Sequence, residues 1–229
     1  MNNKSIEFIS VSKDFSQNKI LHDINFSTEK GKIYGLIGKN GAGKTTIFKI
    51  IRGIIDDYSG DILVNGKNIR ENNDFLENSF FLETSPLLFG FVNNFFKLFD
   101  FQSNYINSEI AEKEDFFKEN IRDKKDNNSL FLSTGWKKVI YIEKLLRMKK
   151  IDFLFLDEPF EGLDIDFRFF LIEKIEQVVK SGATVLISSH NFFDIQNLTK
   201  NIILVDKGIV KFEGETDDIR KLWNEKVKR

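Results

Sequence analysis

One eight-residue stretch limits the folds open to this chain more than any other feature. Residues 38–45 read GKNGAGKT and match the pattern G-x-x-x-x-G-K-[ST]. They continue the apolar run KIYGLIG, which is typical of a buried strand, and they open a helix that we expect over Lys44 to Arg52. A glycine-rich turn at this junction points successive backbone N–H groups inward, at the positive end of the helix. The stretch therefore predicts a phosphate-binding loop in an α/β fold.

The pattern also predicts roles for individual residues in this loop. Lys44 is expected to reach the β- and γ-phosphates of a nucleotide, and Thr45 to present its hydroxyl to Mg²⁺. The residues expected to bind ATP in the loop are Gly38, Asn40, Gly41, Gly43, Lys44, Thr45 and Thr46. The alternative is a glycine-rich turn that merely precedes a helix, and the apolar strand just upstream argues against it.

A second run, FLFLDEP at residues 153–159, ends in two adjacent carboxylates. Carboxylates at the end of a buried strand are costly unless a cation or a reacting water uses them. Beside a phosphate-binding loop, Asp157 is expected to hold the Mg²⁺ shell and Glu158 to polarise the attacking water. The alternative is a strand that simply runs into a polar loop.

The order of the predicted elements indicates one domain. Short β-type runs dominate the first third, and α/β alternation returns after Phe153, with a Phe-rich helical stretch between them. In the last part, the run TVLISS predicts a strand, and a helix that runs to Thr199 is expected after it. We expect an α/β fold with a P-loop NTPase core, an N-terminal antiparallel β-subdomain and an inserted helical subdomain. The core would span about residues 1–86 and 136–229, and the helical insertion about 87–135.

Charge and composition narrow the possible partners. The formal net charge is −1, which gives no general attraction to nucleic acid, so we expect no nucleic-acid partner. The chain has no cysteine, so nothing suggests a thiolate metal site. No apolar run approaches the length that spans a bilayer, so we expect a cytoplasmic protein that is at most peripherally attached to a membrane.

With these motifs in place, the chain resembles the ATP-binding subunit of an ABC transporter over nearly its whole length. SSHN at residues 188–191 resembles the family's switch segment, in which His190 would contact the γ-phosphate as a catalytic residue. EGLD at residues 161–164 resembles the loop whose aspartate, here Asp164, would signal across a dimer. Phe15 resembles the aromatic residue that stacks on adenine, and a core phenylalanine is an equal alternative.

Two places depart from the family pattern. The family usually has a glutamine that senses Mg²⁺ and faces the membrane partner, whereas FFLETSP offers Glu83 or Thr84. An ordinary loop acid is an equal interpretation of Glu83. The family signature reads LSGGQ, whereas this chain has LSTGW at residues 132–136. The resemblance implies that Ser133 supplies a hydroxyl, and Gly135 an open backbone, to the γ-phosphate held by the opposite subunit.

The stretch LSTGWKK has a second interpretation, as a helix start capped by Ser133 or Thr134. Lys137 and Lys138 crowd the first turn of that helix, where the macrodipole disfavours cations. A phosphate bound there would offset the repulsion, and solvation of both lysines is the alternative. We interpret the stretch as a degenerate but usable signature, with Trp136 packed against the helical insertion.

The resemblance implies an ATP hydrolase, with ATP and Mg²⁺ as cofactors, that powers a membrane-spanning permease from the inner face of the cell membrane. Two ATP-binding subunits, identical or different, would close head-to-tail around the nucleotides. The short insertion and the S-T-G signature resemble subunits of export-type permeases. One alternative is a subunit that clamps ATP but hydrolyses it weakly beside a more active partner. Another is a soluble ABC-type ATPase without a permease.

Overall fold

Two β-sheets organise the part of the chain that the structure, a computed structural model, describes. The described residues are 3–16, 18–86, 131–148 and 150–219. The helical insertion expected over residues 87–135 lies outside them, apart from residues 131–135. In the described part, no helix is both long enough and apolar enough to cross a bilayer.

The elements follow one another as the sequence pattern predicts, with strands before and after each helix. The strands are β1 (Lys4–Phe15), β2 (Asn18–Glu29), β3 (Ile33–Ile37), β4 (Ser59–Val64), β5 (Lys67–Asn68), β6 (Ser79–Leu82), β7 (Phe153–Asp157), β8 (Thr184–Ser189), β9 (Asn201–Asp206) and β10 (Ile209–Glu215). The helices are α1 (Lys44–Ile51), α2 (Thr134–Arg147), α3 (Ile165–Lys180) and α4 (Phe192–Ile195). A 3₁₀ turn, Asp74–Asn78, precedes β6.

The first sheet is antiparallel and has the strand order β2-β1-β4-β5. Residues along β1 alternate between the core and solvent near its start, so Ile6 and Phe8 are buried while Glu7 is not. The Asn65-Gly66 turn joins β4 to β5, as an Asn-Gly pair between two strands predicts. This sheet packs on α1 and one face of the second sheet, through Ile47 and Phe155 among others.

The second sheet has the order β10-β9-β3-β8-β7-β6, and every pair except β10 with β9 is parallel. All residues of β3, β7 and β8 are buried, which explains their nearly continuous apolar sequence. Helices α2 and α3 cover the face opposite α1, with Ile140 and Leu171 in that cluster. Because parallel strands end at one edge, the segments after β3, β7 and β8 meet there.

Two predicted boundaries differ from the structure. The helix expected to run to Thr199 is only α4, because the Thr199 hydroxyl donates to the Ile33 carbonyl and accepts from the Asn201 amide at 2.9 Å. These bonds tie the segment after α4 to the central sheet. Helix α2 begins at Thr134 and therefore crosses the boundary that we placed between the insertion and the core at residues 135 and 136.

Candidate functional site

The glycine-rich loop runs from the end of β3 into the first turn of α1. Gly43 is the N-cap of α1. Its φ of +104° is a backbone conformation that residues other than glycine rarely adopt. A Cβ on Gly38 would lie 2.3 Å from the Val205 carbonyl oxygen, so only glycine fits against β9. No side chain caps α1 and no acidic residue lies in its first turn. Nothing in this helix therefore competes with a phosphate for its first N–H groups.

The Lys44 ammonium is held between this loop and an acidic side chain. The residue is 5% exposed, and its Nζ donates to the Gly38 carbonyl at 2.7 Å and to the Lys39 carbonyl at 3.3 Å. The same Nζ lies 3.2 Å from Glu158 Oε1. The strand-end carboxylate and the loop lysine, which are far apart in sequence, therefore share one site.

Three hydroxyl groups converge on the buried carboxylate of Asp157. Thr45 Oγ1 and Thr84 Oγ1 donate to its Oδ2 at 2.8 and 2.9 Å, and Ser188 Oγ donates to its Oδ1. Hydroxyl and carboxylate oxygens are hard donors of the type that Mg²⁺ takes in proteins, together with phosphate oxygens and water. The donor set at the end of β7 therefore fits Mg²⁺ beside a bound nucleotide.

The structure distinguishes the two residues that the sequence left open at the start of the insertion. Glu83, which we named as a candidate metal residue, pairs instead with Arg52 Nη1 on α1. Both of these side chains are partly exposed, and an ion pair in that setting needs no metal. Thr84 is the residue beside Asp157, because its hydroxyl donates to Asp157 Oδ2 whereas the Glu83 carboxylate is paired with Arg52.

Glu158 is held at several points, yet it keeps one free acceptor. It has a φ of +49°, and its backbone N–H donates to Ser188 Oγ at 2.9 Å. His190 Nδ1 lies 2.9 Å from its Oε2. Its Oε1, although ion-paired with Lys44, accepts no hydrogen bond within the described residues, and the side chain is nearly buried. A desolvated carboxylate oxygen without a donor is suited to accept a proton from a bound water.

A cavity of about 480 Å³ opens over the glycine-rich loop. Thr84, Glu158 and Glu161 contribute to its wall, and Phe15 lies at its edge. Phe15 is 44% exposed, so it is not a core residue. The Lys13 ammonium lies 4.6 Å from the centroid of its ring. The exposed phenylalanine is placed where a flat apolar group bound above the loop could stack on it.

The LSTGW stretch forms the start of α2, away from the glycine-rich loop of the same chain. Ser133 is the N-cap, and its Oγ accepts from the Trp136 amide at 3.3 Å. Ser133, Gly135 and Asp164 line a separate cavity of about 110 Å³. The Trp136 ring packs against Phe167 on α3 at 5.7 Å between centroids, and any contact with the insertion lies outside the described residues. Within one chain, Ser133 therefore caps a helix.

Gly135 meets a neighbour in its own chain. A Cβ on this residue would lie 2.1 Å from the Gly162 carbonyl oxygen, in the loop between β7 and α3. The missing side chain is therefore required by packing within the chain, whatever binds from outside.

Lys138 is not solvated, contrary to one of the two alternatives for the lysines of α2. It is fully buried, and its Nζ donates to the Glu158 carbonyl at 2.6 Å and to the Glu161 carbonyl at 2.8 Å. Burial lowers the pKa of Lys138 to about 8, and the negative charges of Glu161, Glu158 and Asp157 limit that decrease. These two carbonyls offset the cost of burying the Lys138 ammonium near the helix start.

Known proteins resemble this chain in sequence and in fold. A family model described as ABC transporter matches residues 21–161. An ABC transporter ATP-binding protein of Methanocaldococcus jannaschii, itself uncharacterized, is 31% identical over 93% of this chain and 79% of its own length. The chain belongs to the ABC transporter family.

Other members of the ABC transporter family match at lower identity. A Nod factor export ATP-binding protein from a Bradyrhizobium strain is 27% identical over 95% of this chain and 72% of its own length. A methionine import ATP-binding protein of Clostridium acetobutylicum is 27% identical over 93% and 70%. A solved ATP-binding subunit of an ABC transporter superposes with a TM-score of 0.80 at 23% identity, over 96% of this chain and 93% of its own. The expected α/β P-loop fold is confirmed.

Sequence reasoning about this ABC family site missed two residues. Ser188 binds both the Asp157 carboxylate and the Glu158 amide, and its position directly before the His190 segment was the available signal. Lys138 was noticed only as an unfavourable charge. A lysine flanked by the apolar pattern of α2 could have been predicted to face inward. The carbonyl groups that it binds could not have been predicted.

Proposed function

We propose that this chain is the ATP-hydrolysing subunit of a membrane transporter. The observation that carries the proposal is the position of Glu158, whose buried Oε1 lies 3.2 Å from Lys44 Nζ and accepts no hydrogen bond within the described residues. An ATP-binding module without turnover would not need a desolvated acceptor there. The family membership supports ATP as the nucleotide.

The loop and its lysine would bind the phosphates of ATP. Lys44 would exchange its carbonyl contacts for charge-assisted bonds to the β- and γ-phosphates, and the N–H groups at the start of α1 would surround the β-phosphate. Phe15 would stack on the adenine from the rim of the cavity. Binding energy therefore comes from both ends of the nucleotide.

Thr45 and Asp157 would hold Mg²⁺, and Thr84 would bind a water of its shell. When bound, Mg²⁺ neutralises charge on the β- and γ-phosphate oxygens and favours departure of the ADP leaving group. Glu158 would accept the proton of the attacking water through Oε1. His190, bound to the other oxygen of that carboxylate, would keep it in this orientation and contact the γ-phosphate.

The second half of the site would come from another ATP-binding subunit. Ser133 and Gly135 line a cavity whose lining includes no residue of the glycine-rich loop of their own chain, which supports contact with a γ-phosphate held by a partner. Asp164 lines the same cavity and would transmit closure between the two subunits. We therefore propose a head-to-tail dimer, formed by two copies or by two related chains.

We further propose that a membrane-spanning permease docks on this dimer at the inner face of the cell membrane, through the inserted region after β6. The names of the relatives support transport, and the S-T-G signature together with the Nod factor export relatives supports an export-type permease. A methionine import protein is related to this chain at the same identity, so transport assays are needed to establish the direction of transport.

Isolating the chain from its native membranes tests this function. An affinity-tagged chain should co-purify with an integral membrane protein, and the complex should hydrolyse ATP only when Mg²⁺ is present. The same complex carrying Lys44→Ala should assemble but not hydrolyse ATP, which controls for contaminating ATPases. Recovery of the tagged chain entirely in the soluble fraction, without a membrane protein, would contradict the transporter proposal.

A further inference from the structure

Lys138 occupies a position where packing alone would favour an apolar residue. It is the fifth residue of α2, just past the first turn, is fully buried, and is followed by the buried residues Val139 and Ile140. Burying an ammonium group is unfavourable unless it is well paired, and a helix start adds repulsion to any cation. An apolar residue of the same length would satisfy the core without these costs. The charge therefore indicates a task other than stability.

That task concerns the turn that follows β7. The Lys138 Nζ binds the carbonyl of Glu158 at 2.6 Å and that of Glu161 at 2.8 Å, whereas the turn's own bond, from the Glu161 amide to the Glu158 carbonyl, is long at 3.3 Å. Glu158 has a φ of +49°, a conformation that costs free energy for a residue with a side chain. The ammonium is thus the shortest hydrogen-bond contact of the catalytic residue's backbone carbonyl.

The same helix is docked on this loop at a second point. The close approach of Gly135 to the Gly162 carbonyl seats the start of α2 against the loop between β7 and α3. Ser133 caps that helix one turn before Lys138. Any displacement of the helix start would therefore be transmitted to the backbone of Glu158 through Lys138.

We propose that Lys138 is a positioning residue that fixes the Glu158 turn and couples it to the signature serine, Ser133. By holding the Glu158 carbonyl, it keeps the carboxylate beside Lys44 and His190. Because Ser133 would contact the nucleotide of the partner subunit, Lys138 would link events at the partner's nucleotide to the catalytic carboxylate at the chain's own nucleotide. This inference rests on the proposed ATP hydrolysis by Glu158.

The test compares Lys138→Met with Lys137→Met in the complex isolated with its membrane partner. Met has nearly the length of lysine but no donor, and Lys137, half-buried on the same turn, provides a control for the loss of one positive charge. Misplacing a catalytic group by about 1 Å can slow turnover up to roughly a hundredfold, so kcat should fall at least about tenfold in Lys138→Met. The Kd for ATP and the kcat of Lys137→Met should stay within about twofold of wild type.

Two further measurements separate positioning from simple destabilisation. Lys138→Gln keeps an N–H donor and should recover part of the lost kcat. In a Glu158→Gln background, Lys138→Met should reduce single-turnover hydrolysis by less than about twofold, since the group it positions is gone. If Lys138→Met does not fold, Lys138→Gln takes its place in the same comparison. A kcat that Lys138→Gln lowers in the wild-type background, but not in the Glu158→Gln background, supports the proposal.

Each contrary result has one meaning. Folded Lys138→Met that turns over like Lys137→Met, or that loses ATP affinity in step with kcat, overturns the positioning role. The positioning role is also overturned if Lys138→Gln melts at a lower temperature but hydrolyses ATP like wild type. A wild-type complex whose turnover is indifferent to Glu158→Gln overturns the proposed function, and with it this inference.

Discussion

Gly135→Ala is expected to destabilise the isolated chain, before any partner or nucleotide is present. The added Cβ would lie 2.1 Å from the Gly162 carbonyl oxygen, whereas such contacts are normally wider than about 3.2 Å. The start of α2 and the loop after β7 would have to separate by about 1 Å. The loop is also held by Lys138, so it cannot move freely.

The expected loss follows from two opposing terms. Overpacking of this kind costs about 1–3 kcal/mol, and replacing glycine by alanine in a helix returns up to about 1 kcal/mol. Because the clash is with a backbone oxygen rather than a flexible side chain, the cost lies near the upper end of its range, and we expect the free energy of unfolding to fall by about 1–2 kcal/mol. Urea denaturation followed by far-ultraviolet circular dichroism measures this quantity, with Thr134→Ala, an exposed neighbour on the same helix, expected to change it by less than about 0.5 kcal/mol.

Equal unfolding free energies for wild type and Gly135→Ala would refute this reasoning. In that case the glycine would serve only the approach of a partner's phosphate. If the loss is observed, any defect in the hydrolysis of a Gly135 variant includes a contribution from within the chain. Ser133 is then the better probe of contact with the partner subunit.

Three other predictions test separate parts of the site, the last of them with a control substitution. Lys44→Ala should weaken ATP binding by about 1.5–3 kcal/mol, measured by calorimetry, since it removes a charge-assisted contact in a nearly buried site. Ser133→Ala should leave the Kd for ATP of the isolated chain within about twofold while lowering kcat of the assembled complex; an equal kcat would limit Ser133 to capping α2. Thr84→Val should raise the Mg²⁺ concentration needed for half-maximal ATP binding about fivefold, because it removes a hydroxyl from Asp157. Glu83→Gln should not change it, and the opposite ranking would return the metal role to Glu83.

The sequence predicted the parts of the structure that depend on local patterns. The loop of residues 38–45 has its turn, its lysine and its helix in a fixed order, so its conformation follows from a short segment. The apolar runs that end in Asp157 and Ser189 form the parallel strands β7 and β8 of the predicted α/β core, and their carboxyl ends share one edge. From that edge, the meeting of Glu158 with His190 could be expected.

Contacts that depend on the packing of distant segments were not predictable in the same way. The choice between Glu83 and Thr84 depends on which of two neighbours faces Asp157, and a shift of one residue reverses the answer. The carbonyls that Lys138 binds depend on the docking of α2 against the loop after β7, which no pattern within α2 encodes. Likewise, the end of α4 is set by the bond of Thr199 to a distant strand.

Hydrolysis by Glu158→Gln, measured together with its ATP affinity, tests the central claim most directly. The amide preserves the size of the side chain but cannot take the proton of the attacking water. The account predicts that the assembled complex binds ATP with a Kd within about twofold of wild type, while steady-state release of inorganic phosphate falls by at least about a hundredfold. Undiminished phosphate release from this variant would contradict the assignment of Glu158 as the catalytic residue.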